Sequence, residues 1–274
     1  MKNKRLVQSI LRNIVAWVFS AICLIPLLLI AFNAFKDKKA AASMNLAPPF
    51  PLRLENFLTV IEKGKLARSF LNSLIYSAGS TILCVFLASL AAYVLSRNQT
   101  RLNRFLYMFI VLGITLPVNY VALTKVLQFL HLNNTTIGII LLYTAMQLPF
   151  MTFLIHGFVS KVPVELDEAA VIDGCGPVKL YFYIIVPMLK PAIATAAVLT
   201  FLNTWNEFVS PLYFLNKTEQ WPMTLSVYNF FGMYYKDWNL VCADIFLTSL
   251  PVLIVYLIGQ KYIVSGMTAG ALKG

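Results

Sequence analysis

Histidine is almost absent from this sequence: His131 and His156 are the only two, which excludes a histidine-rich metal site. Cysteine is nearly as sparse. Cys23, Cys84, Cys175 and Cys242 lie far apart and three of them fall inside apolar runs, so neither a disulfide framework nor a CxxC metal site is available, and they read as small apolar packing residues. No GxxxxGK[ST] occurs. The nearest approach, Gly174-Cys-Gly-Pro-Val-Lys179, lacks the glycine-lysine-hydroxyl ending that cradles phosphates, so the chain is not expected to bind or hydrolyse nucleotide itself. Internal repeats and low-complexity tracts are also missing, which argues against two duplicated halves.

What is present is apolar. Hydrophobic residues make up 59% of the 274 positions and mean hydropathy is +0.75, well above a soluble domain. A net charge of +11 could point to nucleic acid, but the basic residues are scattered between apolar runs rather than interleaved with aromatics on one surface. No nucleic-acid partner is expected, and the charge is read as membrane topology.

A spanning helix needs about 20 mostly apolar residues, and six stretches meet that need, near 14–35, 70–95, 105–123, 136–158, 191–214 and 240–259. The expected fold is an all-α integral membrane protein with six transmembrane helices, residues 1–274 forming a single transmembrane domain. Lys2, Lys4 and Arg5 precede the first run as they would in a signal peptide. That run is too long for a secretory h-region and reads as an uncleaved span. With both termini cytoplasmic, twelve basic residues fall inside and ten outside, because the 36–68 segment alone holds seven of the latter. The basic N-terminus and the RNQTRLNR loop favour this orientation. The 36–68 segment, with Pro48, Pro49 and Pro51, reads as an external loop with one short helix. The 215–239 segment, with Trp221, Tyr234, Tyr235 and Trp238, reads as a second external loop near the interfacial belt.

Between the fourth and fifth spans lies an acidic, proline-punctuated segment, 159–190. Pro163 suits a first helical position, Glu165, Asp167 and Glu168 favour the positive end of a helix dipole, and Gly174 suits the left-handed position after the last turn. A short helix over about 163–173 follows. Gly176-Pro177 starts a second helix that Pro187 ends or kinks, and the pair makes an elbow lying along the membrane. Ala169 and Ala170 let a partner approach closely, while Glu168 offers a carboxylate to an arginine at the contact edge.

Glu168-Ala169-Ala170, Gly174, Ile184 and Pro187 resemble the EAA motif of ATP-binding-cassette importer permeases in residue type and spacing. Val186 stands where that family usually has leucine. Phe70-Leu-Asn-Ser-Leu74, Ala91-Ala-Tyr-Val-Leu-Ser-Arg97, Thr204-Trp-Asn-Glu-Phe208 and the closing Thr268-Ala-Gly-Ala-Leu-Lys-Gly274 narrow the resemblance to carbohydrate-importer permeases of the maltose-transporter type. The resemblance implies a subunit in a bacterial cell membrane, paired with a second homologous permease. It also implies an external sugar-binding protein and two cytosolic ATPase subunits docked on the EAA elbows. The coupling residues it implies are Glu168, Ala169, Ala170, Asp173, Gly174 and Pro187. ATP and magnesium are expected at the ATPase subunits, and no cofactor on this chain.

Polar groups inside a bilayer are costly and tend to face a cavity or a partner helix. In the fifth span Thr200, Asn203, Asn206, Glu207 and Ser210 recur at three- and four-residue steps, bordered by Trp205. Amides and carboxylates hydrogen-bond sugar hydroxyls and aromatic faces cover sugar C–H surfaces, so this stripe either lines the translocation path or joins the subunit to its partner. Tyr143 and Gln147 in the fourth span and Asn119 beside Pro117 in the third are secondary path candidates. An ion-coupled secondary transporter using Glu207 or Asp244 is the alternative from another class. There Asp244 is expected near the outer end of the sixth span, reaching interfacial water.

Overall fold

The computed structural model describes residues 2–231 and 236–271, with side chains between Ser9 and Ile263; Tyr234, Tyr235 and 272–274, and the side chains of Lys2, Lys4, Arg5 and 268–271, lie outside what is described. In chain order the helices are α1 (Lys2–Ala34), α2 (Lys38–Ala41), α3 (Glu55–Lys63), α4 (Leu66–Arg97), α5 (Arg101–Leu112) and α6 (Tyr120–Phe129). They continue with α7 (Thr136–Val159), α8 (Glu165–Ile172), α9 (Pro177–Met188), α10 (Lys190–Trp205), α11 (Val209–Phe214) and α12 (Trp238–Ala271), with one further helical turn, Met223–Ser226, between the last two. Among the described residues the only β pairing is an isolated bridge between Phe231 and Lys236.

Among the described residues four helices are long and apolar enough to cross a membrane, α1, α4, α7 and α12, and a fifth if α9 and α10, bent by 78°, count as one span. The stretch 105–123 is not one helix. Gly113 closes α5, Pro117 interrupts the backbone ladder, and the Asn119 side chain accepts from the Ala122 N–H at 3.0 Å to start α6. Likewise 191–214 is divided, because α10 stops at Trp205, Asn206 caps it and a new turn begins at Val209.

The chain forms two compact units. The first holds residues 1–67 and 226–250. Here α1 exposes apolar side chains on all sides from Ile10 to Leu28, as a helix in lipid does. Its end is tied by amides: Asn33 Nδ2 donates to the carbonyls of Leu29 and Asn45. Asn56 Nδ2 donates to those of Ala34 and Lys36, and Asn239 Nδ2 donates to Asn56 Oδ1. Lys36, buried, gives its three donors to Asn33 Oδ1 and to the carbonyl and side-chain oxygens of Asn45. That burial lowers its pKa below the ordinary lysine value. Phe35, Phe57 and Phe246 pack tilted and edge-to-face into one aromatic cluster. The 36–68 segment therefore contains two helices, α2 as well as α3, with α2 capped by Asp37 accepting from the Ala40 N–H.

The second unit holds 68–225 and 251–274. Its packing rests on small residues. Ser73, Ser77, Ser80, Cys84, Ala88 and Ala92 are buried at three- and four-residue steps along α4, the close-approach stripe by which membrane helices pack. Cys84, Ala88 and Ala92 belong to one core with Met151, Ile155 and Val159 of α7 and with Ile185, Leu189 and Ala196. A Cβ on Gly259 of α12 would stand 2.5 Å from a methyl of Val198 on α10, and the Thr195 hydroxyl donates to the Tyr262 carbonyl at 2.7 Å.

Candidate functional site

The acidic segment folds as two short helices on one end of the second unit. Val164 is the N-cap of α8, so Pro163 lies just before the helix rather than at its first position. At the other end Gly174 takes φ +79°, a left-handed conformation glycine adopts without Cβ strain. The Cys175 N–H donates to the Ala170 carbonyl at 2.9 Å and the Gly174 N–H to that of Val171 at 3.0 Å, the paired bonds of a Schellman ending. Asp173 is the C-cap and is exposed.

Two contacts seat α8 on the unit. Ala170 is buried in the core with Leu180, Tyr181 and Ile185, so of the two alanines only Ala169 faces outward. On the same side Asp167 takes a forked bond from Arg97 at the end of α4, Nε to Oδ2 at 2.8 Å and Nη2 to Oδ1 at 3.3 Å. Tyr93 donates to the same Oδ2 at 3.1 Å, and Arg97 Nη1 donates to the Val162 carbonyl at 3.0 Å. The pair is largely withdrawn from solvent, the two side chains being 12% and 14% exposed. The outer side is different. Glu168 and Ala169 are open, and Val171 and Ile172 are 61% and 85% exposed.

Beyond Pro177 the chain makes a π-helical turn over Leu180–Ile185, continues through Pro187, and bends at Leu189. Pro187 therefore neither ends nor kinks the helix where it stands. The wide turn ahead of it accommodates the missing N–H, and the break comes two residues later, where Pro191 opens α10.

The polar residues of 200–210 do not share one helix face. Thr200 and Ser210 are fully buried, whereas Asn203 and Asn206 are exposed and Glu207 is half-buried. Asn203 Nδ2 donates to Gln147 Oε1 of α7 at 3.0 Å, which joins two of the expected path residues. Asn206 bonds back to the Leu202 carbonyl, and Glu207 Oε1 accepts from the Ser210 N–H at 2.8 Å. Both thus serve the break between α10 and α11. Trp205 is buried between Phe70 and Phe201, its indole N–H without a partner among the described residues. Tyr143 is enclosed with Tyr76 and Phe214, and Asn119 is spent on the cap of α6. Asp244, in the first unit, is buried rather than at interfacial water, and both its oxygens accept from the Ser226 hydroxyl, at 2.8 and 3.0 Å.

The contact that sequence reading missed is the Arg97–Asp167 fork. Its signal was an arginine ending a long apolar helix and an aspartate one residue before Glu168. Their pairing is set by the fold and not by spacing.

Residues 84–269 match the family model for the binding-protein-dependent transport system inner membrane component. The chain belongs to that family. Its permease relatives include the multiple sugar-binding transport system permease protein MsmG of Streptococcus mutans, 34% identical over all of both chains. The melibiose/raffinose/stachyose import permease protein MelC of Bacillus subtilis is 32% identical over 91% of each. Among solved structures, a bacterial ABC transporter that imports the acidic polysaccharide alginate superposes with a TM-score of 0.82 at 20% identity, over 93% of this chain and 96% of that one. The protein is a multi-pass membrane permease of an ABC importer, a transport subunit rather than an ATPase.

Proposed function

We propose that this permease is a subunit of an ATP-driven sugar importer of a bacterial cell membrane. In this reading the chain crosses the membrane six times with both termini cytoplasmic. It forms the path with a second homologous permease, receives sugar from an external binding protein, and meets one of two cytosolic ATPase subunits through α8. ATP and magnesium belong to those partners. The sugar class rests on the relatives' names, which cover starch degradation products, multiple sugars and raffinose-type oligosaccharides.

The observation that carries the coupling role is the two-sidedness of α8. One side is fixed by Ala170 and the Arg97–Asp167 fork, while the other shows bare aliphatic side chains, Val171 and Ile172, outside any long apolar span. Exposed large aliphatics beside polar residues mark a protein contact. The test is Ile172→Cys, on a background lacking the four native cysteines, in the assembled complex. Disulfide cross-linking to an ATPase subunit bearing a cysteine in its docking socket is expected. An introduced thiol that stays freely reactive to maleimide and never cross-links overturns the assignment.

For the path, Asn203, Gln147 and Asn206 are the groups that meet solute, with Glu207 ordering the turn beside them and Trp205, Tyr143 and Ser210 supporting from behind. Single cysteines at 203 and 206 are expected to react with small aqueous thiol reagents, and at 205 and 210 to be protected. The reverse pattern assigns the segment to the interface with the partner permease. Of the two carboxylates in the ion-coupled alternative, Asp244 accepts from the Ser226 hydroxyl and Glu207 from the Ser210 backbone N–H.

A further inference from the structure

The second unit has a polar cavity of about 260 Å³ where α4 ends, α5 begins and α7 ends. Ser96, Gln99, Arg104, Tyr107, His156 and Ser160 line it, and no carboxylate does. Tyr107 and His156 are stacked with ring centroids 4.1 Å apart and make a flat wall. Arg97 also borders the cavity, but its charge is taken by Asp167. Arg104 has no ion-pair partner among the described residues, and neither it nor Gln99 holds a side-chain hydrogen bond there. The Ser160 hydroxyl gives its hydrogen to the His156 carbonyl at 2.9 Å. Ser96 Oγ, 3.3 Å from Ser160 Oγ, is therefore left with only a long bond that a better acceptor displaces. One unpaired guanidinium with a nearby hydroxyl and carboxamide is a donor set for a single anionic phosphate.

The surroundings indicate which phosphate. Directly beyond Arg104, α5 exposes Phe105, Met108 and Phe109, with the two phenylalanine rings stacked. The polar mouth thus opens beside an apolar strip at the end of an apolar helix bundle, the arrangement in which a charged head and its hydrocarbon chain are satisfied together. We infer that this cavity binds the phosphate of an anionic phospholipid, with Arg104, Ser96 and Gln99 on the head group and the acyl chain along Phe105, Met108 and Phe109.

The cavity lies beside α8, with Val164 and Arg97 at its edge, so the test reads bound lipid directly and needs neither sugar nor ATP turnover. The full chain, purified with its co-expressed partners, is irradiated with a phosphatidylglycerol carrying a photoactivatable acyl chain, and adducts are mapped by mass spectrometry. Adducts are expected on residues 101–112, competed away by unlabelled phosphatidylglycerol but not by diacylglycerol, which lacks the phosphate. Arg104→Gln should reduce them about ten-fold, the loss of a charge-assisted hydrogen bond, and Arg104→Lys should restore part. Arg101→Gln removes an equal charge three residues away and outside the cavity, and should leave the labelling unchanged. Equal loss in both glutamine variants would mean general electrostatic attraction, and undiminished labelling in Arg104→Gln or competition by diacylglycerol would mean no head-group site. Either result overturns the inference. Competition by inorganic phosphate as effective as by the lipid would assign the cavity to a free anion and overturn the lipid assignment.

Discussion

Asp167→Ala is expected to detach α8 from the end of α4 and to abolish coupled uptake. The substitution removes both acceptors of the Arg97 fork and the acceptor of Tyr93, stranding a guanidinium that is only 12% exposed. Leaving one member of a largely buried pair uncompensated costs about 3 kcal/mol, enough to change the population of seated α8 by about a hundred-fold. Hydrogen exchange across 165–174 should speed up, while α7, whose Met151 and Ile155 also share the core with Cys84 and Ala88 of α4, keeps its protection. The double variant Arg97→Gln, Asp167→Asn should recover part of the loss, because two neutral amides leave no unpaired charge. If Asp167→Ala exchanges and transports as the parent does, the fork is not what holds α8.

Gly174→Pro should be nearly as severe, and comparison with Gly174→Ala separates its causes. No atom lies within 4 Å of where a Cβ would stand, so alanine meets no neighbour and suffers only from φ +79°, about 1 kcal/mol. Proline cannot adopt that φ and also removes the N–H donated to the Val171 carbonyl, about 3 kcal/mol or more. Transport is expected to survive in the alanine variant with a slightly lowered melting temperature, and to vanish in the proline variant while membrane insertion persists. Full uptake with proline would show that the Schellman ending is dispensable.

Much of α8 was legible because its signals are local. Acidic residues in a first turn and a glycine after the last need no knowledge of the rest of the chain, and the helix lies within the expected interval. The long apolar helices were legible from composition for the same reason. The breaks were not, although their residues were in view. Asn119, Asn206 and Glu207 were weighed as polar groups inside membrane helices, whereas each is used at a helix end, where unsatisfied backbone groups give an amide or carboxylate a partner. Period counting presupposes that the helix continues, so it cannot report that it stops. Ala170 and Asp244 were misplaced for a different reason. Which side of a short helix is covered, and whether a carboxylate finds a hydroxyl, depends on segments distant in sequence or on the return of the chain through Ser226.

α4 runs without interruption for 32 residues, about 48 Å at 1.5 Å per residue, against a hydrocarbon layer about 30 Å thick. Even with some tilt, a rod of that length stands clear of the hydrocarbon at its ends, and Arg97 occupies its last turn. Mechanically it is a lever whose fulcrum is the small-residue seam along its middle. A rotation of about 10° about that seam carries each tip through about 4 Å, comparable to one turn of a helix. In the proposed coupling, an 8-residue helix clamped to one tip would command a displacement that it could not produce through its own length.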